Sequence, residues 1–161
     1  MRNKPNISSG SAIYISHGGG PLPFLGDESH QDLIKCLKNV SDIIGKPSAI
    51  IVISAHWEEA KPTITSGATT SLIYDYYGFP AESYQIEYPA PGNSLLAHKI
   101  FNYLKSCGVE ASLAEQRGFD HGVFVPLKIM YPKANIPCVQ ISLKYGLNPA
   151  EHIRIGRALS D

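Results

Sequence analysis

The sequence has few charged residues, no excess of either charge and no long apolar run. Charged residues make up 17% of the 161 positions, and 14 basic side chains balance 14 acidic ones; soluble domains typically have roughly 25% charged residues. Without a cationic excess, the chain does not have the positive surface that binding to nucleic-acid phosphates requires. No run of about 18 apolar residues occurs, so no transmembrane helix and no membrane partner are predicted. The low charge fits a surface that partly faces a second copy in a homo-oligomer, or another part of the same protein.

Cysteine is also scarce, which bears on the cellular compartment. Cys36, Cys107 and Cys138 are far apart and form no C-x-x-C pair. We interpret them as buried, small hydrophobic side chains in a reducing compartment; a cysteine nucleophile or a disulfide is the less favoured alternative. The stretch from Met1 to Ser11 is polar and does not contain the apolar segment of a signal peptide. The sequence therefore predicts a cytoplasmic protein.

Strand and helix signals alternate along the chain. Short apolar runs predict strands at 12–15, 49–53, 62–65, 109–113 and 136–143. Apolar stripes and capping signals predict a helix that ends at Gly45, a second from Ser94 to Gly108, a third from Pro126 and a fourth from Pro149. This alternation is typical of an α/β fold, in which helices cover both faces of a mostly parallel sheet. No linker divides the sequence, so residues 1–161 are predicted to form a single domain.

Two histidines closely follow predicted strands. His17 comes after the strand at 12–15, and His56 comes after the strand at 49–53. The carboxyl ends of parallel strands meet at one edge of a sheet, where α/β proteins bind ligands. Neutral imidazoles from the two strand ends can therefore converge on one metal ion at that edge. The alternative is that both are loop histidines satisfied by ordinary hydrogen bonds.

A third histidine, His121, stands beside Asp120 ahead of the helix predicted at Pro126. A histidine in this position can donate a proton or hydrogen-bond an anionic substrate; the alternative is an ordinary helix-entry residue. The other histidines lie in helical stretches and are predicted to be on the surface: His30, His98 and His152.

Residues 66–92 have no clean period but contain six aromatic side chains: Tyr74, Tyr76, Tyr77, Phe79, Tyr84 and Tyr88. A loop of this length inside a compact domain is often functional. We expect these aromatics to line a cleft beside the metal, because flat apolar walls suit an aromatic ligand. The alternative is that they cover the core or a contact between subunits.

Four motifs occur in order: Ser16-His17-Gly18-Gly19-Gly20-Pro21; Ser54-Ala55-His56-Trp57-Glu58; Tyr74-Asp75-Tyr76-Tyr77-Gly78-Phe79-Pro80 with Tyr88-Pro89-Ala90-Pro91-Gly92; and Asp120-His121-Gly122-Val123-Phe124-Val125-Pro126-Leu127. As a set, from about residue 12 onward, the chain resembles the class III extradiol ring-cleavage dioxygenases, in particular the 4,5-DOPA extradiol dioxygenase-like branch. Any one motif alone is weak, whereas four with compatible spacing are specific.

The resemblance implies a non-haem metal-dependent enzyme that opens the ring of a catechol-type substrate such as DOPA with dioxygen. It implies one Fe(II) or Zn(II) ion per chain, with His17 and His56 as metal ligands. It also implies that His121 is a catalytic residue that contacts the substrate. Tyr77, in the third motif, is predicted to bind the substrate together with His121.

The sequence departs from this family in one respect. Members are usually longer, and they place a third metal ligand and a further histidine, followed by asparagine, in their C-terminal part. None of the six histidines here precedes an asparagine. We therefore interpret the 161 residues as the N-terminal portion of a longer catalytic domain, weakly active or inactive alone. Two other interpretations stay open: a zinc-dependent hydrolase on the same scaffold, and a non-enzymatic remnant that binds metal.

Overall fold

The structure, a computed structural model, describes residues 10–159. The strands within this range are β1 (Ile50–Glu59), β2 (Thr63–Thr65), β3 (Ser112–Ala114) and β4 (Cys138–Lys144). The α-helices are α1 (Gln31–Ile44), α2 (Ser94–Ser106), α3 (His121–Met130) and α4 (Pro149–Ala158). Short 3-10 helices lie at Leu22–Phe24, Glu28–His30 and Ala81–Gln85. This order of elements confirms the predicted α/β class.

The four strands form one sheet in the order β1-β4-β2-β3. β1 runs parallel to β4, and β2 runs parallel to β3. The two parallel pairs are joined by an antiparallel bridge between Ile64 and Ile141. The sheet is therefore mixed but mostly parallel, as the alternation of strand and helix signals predicts.

Helices cover both faces of the sheet, so β4 is buried on both sides. Cys138 packs into a core cluster with Leu37 of α1 and Phe124 of α3. Its neighbour Val139 packs into a second cluster with Leu104 of α2. Successive side chains of a strand point to opposite faces, so α1 and α3 lie on one face and α2 and α4 on the other.

Three of the predicted helices are present, with the local signals that define them. α1 has 14 residues and ends at Gly45, whose φ is 77°. The side chain of Asn93 caps α2, and Gly108 follows the helix with φ 71°. The side chain of Asn148 caps α4. None of the helices within residues 10–159 is long and apolar enough to span a membrane.

The predicted strand at 12–15 is wrong, because these residues have no strand pairing. β1 bonds to β4 along one edge, and no described strand lies along its other edge. Tyr14 is fully exposed, and Ile51 and Ile53 of β1 are about half exposed. An apolar run of four residues favours a strand, but pairing depends on tertiary context.

The start predicted for the third helix is also wrong. α3 begins at His121, and Pro126 lies inside it as the sixth residue. The sequence rule that favours proline at the first helical position misleads here. The cause is a capping interaction that is not local: the backbone N–H of His121 donates to the Asp75 carboxylate, 46 residues earlier in the chain.

Two of the three cysteines are not buried. Cys36 and Cys107 are exposed, and Cys138 alone lies in the core. Cys36 lies on α1 and Cys107 directly follows α2, and both side chains face solvent. All three are free thiols, so the less favoured disulfide is not formed.

Candidate metal centre

Three histidines from separate parts of the chain meet at one point. The Nε2 atoms of His17 and His56 are 2.9 Å apart. One ligand atom from each of His17, His56 and His121 lies within 4.8 Å of the other two. Imidazole nitrogens bind zinc at about 2.0–2.1 Å, so the cluster has the size of a site for one ion. The predicted meeting of His17 and His56 is observed, while their role as ligands stays a prediction.

The chemistry of this donor set fits a metal ion. The Nδ1 atom of His17 is buried and has no hydrogen-bond partner among residues 10–159. The pKa of His17 is lowered from its usual value of 6.5, first because burial disfavours the charged form and then because His121 and His56 would repel a positive charge. The neutral imidazole, which is the form that binds metals, is therefore favoured.

His17 lies on the N-terminal arm, defined here as residues 10–20, which contains no strand or helix. The arm turns at Gly18, whose φ is 79°, and the N–H of Gly19 donates to Nε2 of His30 at 3.0 Å. A Cβ atom on Gly18 would lie 2.5 Å from the His30 ring. His30 is also bonded to Asp27 and has only 14% of its side chain exposed. His30, predicted to be on the surface, is partly buried and supports the turn that follows His17.

His56 lies within β1 rather than after it, which corrects the predicted position. The β1–β4 ladder is regular up to Ile53 and resumes at Glu58, so four residues of β1 stand opposite one of β4. Such bulges are found next to active sites, where they redirect a side chain. The backbone N–H of His56 donates to Ser54 Oγ at 3.1 Å. The bulge thus displaces His56 from the ladder and turns it toward the other two histidines.

His121 is the first residue of α3. Asp75 holds it in place and lies in residues 66–92, named here the aromatic loop. Oδ1 of Asp75 lies 2.9 Å from the backbone nitrogen of His121 and 2.8 Å from its Nδ1. Burial alone would raise the pKa of Asp75, but the hydrogen bonds from His121 outweigh it and keep the pKa below the usual range. The carboxylate is therefore ionised and accepts both bonds.

A buried polar network lies beneath the centre. Asp120 is fully buried and accepts hydrogen bonds from Ser54 Oγ at 2.7 Å and from Gln140 Nε2. Arg117 pairs with the same carboxylate at 3.2 Å, and its guanidinium carbon lies 4.3 Å from the centre of the Trp57 ring. Because Ser54 also bonds the backbone of His56, this network ties the bulge of β1 to the start of α3.

The second residue of α3 allows the helix to approach the bulge closely. A Cβ atom on Gly122 would lie 2.5 Å from Ser54 Oγ and 2.9 Å from Cδ2 of His56. Real Cβ atoms do not approach other atoms this closely, so the helix start needs glycine here. His121 and His56 are consequently held side by side, with ring centroids 4.0 Å apart.

The aromatic loop reaches the centre through Tyr76 rather than through Tyr77. The Tyr76 ring is buried, and its centroid lies 5.7 Å from that of His121 in an edge-on arrangement. Tyr77 is 91% exposed, and its predicted contact with substrate stays a prediction. Sequence reasoning included Tyr76 only as one of six aromatics expected beside the metal and did not select Asp75, although both belong to the motif that contains Tyr77. Their contact with His121 crosses about 45 residues of chain, and no periodicity shows such a contact.

An α/β fold with three converging histidines defines a candidate mononuclear metal centre. The chain belongs to the family described as the catalytic LigB subunit of aromatic ring-opening dioxygenase, whose profile matches residues 11–161. This membership confirms the resemblance to the extradiol dioxygenases that the four motifs indicate.

Named relatives agree with this assignment. The chain is 44% identical over 155 residues to the dioxygenase tasH of Hapsidospora irregularis, covering 91% of this chain and 48% of that protein. It is 40% identical over 158 residues to the 4,5-DOPA dioxygenase extradiol of Portulaca grandiflora, covering 96% of this chain and 57% of the relative. The crystal structure of an uncharacterized Escherichia coli K12 protein aligns with a TM-score of 0.63 and 32% identity, over 79% of this chain and 46% of that one. The chain thus spans about half the length of the relatives it matches.

Proposed function

We propose that this chain provides the metal-binding half of an extradiol dioxygenase that opens a catechol-type ring such as that of DOPA. The observation that carries the proposal is the convergence of His17, His56 and His121 within 4.8 Å in a chain that belongs to the ring-opening dioxygenase family. In this proposal His17 and His56 hold one Fe(II) or Zn(II) ion. His121 acts on the substrate beside it.

The bound ion would supply coordination positions for the two oxygens of the diol and for dioxygen, and Fe(II) would conduct electron density from the diol to the oxygen. The protein's own contribution begins with His17, because its lowered pKa keeps the imidazole neutral and its lone pair available near neutral pH. The bulge of β1 keeps His56 at a fixed position beside it.

His121 is suited to accept a proton from a catechol hydroxyl. Its Nδ1 lies 2.8 Å from the Asp75 carboxylate, which can only accept, so Nδ1 carries the proton. In the neutral imidazole, the other ring nitrogen, Nε2, is then the acceptor and can act as a general base. Tyr76 shields this imidazole on one side. We expect Tyr77, on the same loop, to contact the aromatic ring of the substrate.

The test measures metal content and oxygen consumption together. Wild type, His17→Ala and His56→Ala are loaded anaerobically with Fe(II), desalted and analysed for metal per chain. Oxygen uptake is then followed with a panel of catechols. We expect both variants to lose most of the bound iron, and any catechol-dependent uptake to fall in parallel.

The matched control is His98→Ala, because His98 is an exposed histidine on α2 whose Nδ1 bonds only locally, at Ser94. This control keeps the wild-type iron content if the centre is the binding site. Iron that stays bound in both His17→Ala and His56→Ala would refute the ligand assignment, whatever the activity.

A further inference from the structure

We propose that Asp75 is the positioning residue of the centre, which sets the tautomer of His121 and orients His56. This inference rests on the proposed function, because it assigns a role toward the same metal. A single carboxylate from the aromatic loop reaches two of the three histidines: Oδ1 is 2.8 Å from Nδ1 of His121, and Oδ2 is 3.7 Å from Nδ1 of His56.

The contact with His121 determines which ring nitrogen carries the proton. Oδ1 of Asp75 accepts the backbone N–H of His121 and also lies 2.8 Å from its Nδ1, and a carboxylate oxygen can only accept hydrogen bonds. Nδ1 of His121 must therefore donate, and the lone pair is confined to Nε2. The second bond, from the backbone N–H of His121 to the same oxygen, holds the carboxylate in place at the start of α3.

The contact with His56 is longer and acts on orientation. At 3.7 Å the two atoms are beyond the normal hydrogen-bond range, but the charge of Asp75 favours a proton on the Nδ1 that faces it. The opposite ring nitrogen of His56, Nε2, is the one that lies 2.9 Å from His17 Nε2. Asp75 therefore stands behind His56 on the side away from His17. Carboxylates behind metal-binding histidines fix ring orientation and raise ligand basicity.

The neighbouring carboxylate, Asp120, does not have this role. It is fully buried, and its oxygens bond Ser54, Gln140 and Arg117. Asp75, in contrast, has 23% of its side chain exposed and points to imidazole nitrogens. Asp120 therefore joins side chains beneath the centre, whereas Asp75 faces the histidine rings.

The decisive variant is Asp75→Asn, which keeps the shape but replaces one acceptor oxygen by an N–H donor. We expect affinity for Co(II) or Zn(II), measured by titration against a competing chelator, to fall by about 10- to 100-fold. We also expect the 15N signals of His121 in the metal-free protein to change from the pure Nδ1–H tautomer of wild type to a mixture. A purely structural role would not move the tautomer signals of a protein that is still folded.

The matched control is Asp42→Asn, which removes the same charge from an exposed position on α1 and is expected to change neither measurement. Wild-type affinity together with a wild-type His121 tautomer in Asp75→Asn would overturn the inference. The wild-type spectrum alone gives a second test, independent of whether the variant folds, because a dominant Nε2–H tautomer of His121 would also overturn it. If wild type bound no metal, the proposed function would fail, and the tautomer comparison would still decide the role of Asp75.

Discussion

The centre joins two regions that are held in different ways. The scaffold, defined here as β1 and α3, carries His56 and His121, and the buried carboxylate of Asp120 links its two elements. The N-terminal arm carries His17 and has no strand or helix of its own. Its position depends on local contacts such as the bond between Gly19 and His30. Two of the three histidines are therefore coupled to the stability of the core, whereas the third depends on a turn.

Breaking the scaffold at Asp120 should have the largest effect. Asp120→Ala leaves the guanidinium of Arg117 and the amide of Gln140 without their acceptor. Removing one partner of a buried ion pair costs about 3–5 kcal/mol, so we expect a loss of that order in the free energy of unfolding, measured by urea denaturation. The control is Asp32→Ala, since Asp32 pairs with Lys35 in full solvent exposure and should change stability by less than about 0.5 kcal/mol. Similar losses in the two variants would contradict the special role of the network.

Crowding the contact between α3 and β1 should have the next largest effect. Gly122→Ala places a methyl group against Ser54 Oγ and the His56 ring. Overpacking of this kind costs about 1–3 kcal/mol, and the displaced His56 should also weaken metal binding. Gly156→Ala on α4 is the control, because no atom lies within 4 Å of the added Cβ. That variant should be as stable as wild type or gain up to about 1 kcal/mol. The idea of close packing fails if Gly122→Ala matches this control in urea denaturation.

A smaller effect is expected when the turn of the arm is loosened. His30→Ala removes the acceptor for Gly19 N–H, and loss of one hydrogen bond costs about 1 kcal/mol. Metal affinity should fall as well, because the turn that presents His17 is no longer held. Calorimetric unfolding and metal titration, with His98→Ala as the exposed control, check both expectations. An unchanged metal affinity in His30→Ala would show that the arm is positioned by other contacts.

The smallest effect concerns pH. The pKa of His17 is lowered in the folded protein, so the unfolded chain binds more protons than the folded one in the range below the usual value of 6.5. Stability of the metal-free protein should therefore decrease as the pH falls through 6.5 toward the folded pKa. Urea midpoints between about pH 8 and pH 5 measure this trend. His17→Gln should show a shallower decrease, and an identical slope in both proteins would argue against the lowered pKa of this imidazole.

Local sequence signals predicted the elements that depend on local interactions. The ends of α1, α2 and α4 are marked by Gly45, Asn93, Gly108 and Asn148, which act within a few residues of their own helix. The meeting of His17 and His56 was also anticipated, although only one of them comes from a strand. The family resemblance, drawn from four short motifs, agrees with the matched family.

The tertiary structure alone decided how the centre is built. The bulge that displaces His56 arises from pairing between β1 and β4, and the start of α3 depends on Asp75 from a distant loop. The run at 12–15 has the composition of a strand but no partner strand among residues 10–159. Composition and periodicity reflect interactions between residues that are close in the sequence. A hydrogen bond between a carboxylate and an imidazole 46 residues away does not affect these patterns, because it exists only after the chain has folded.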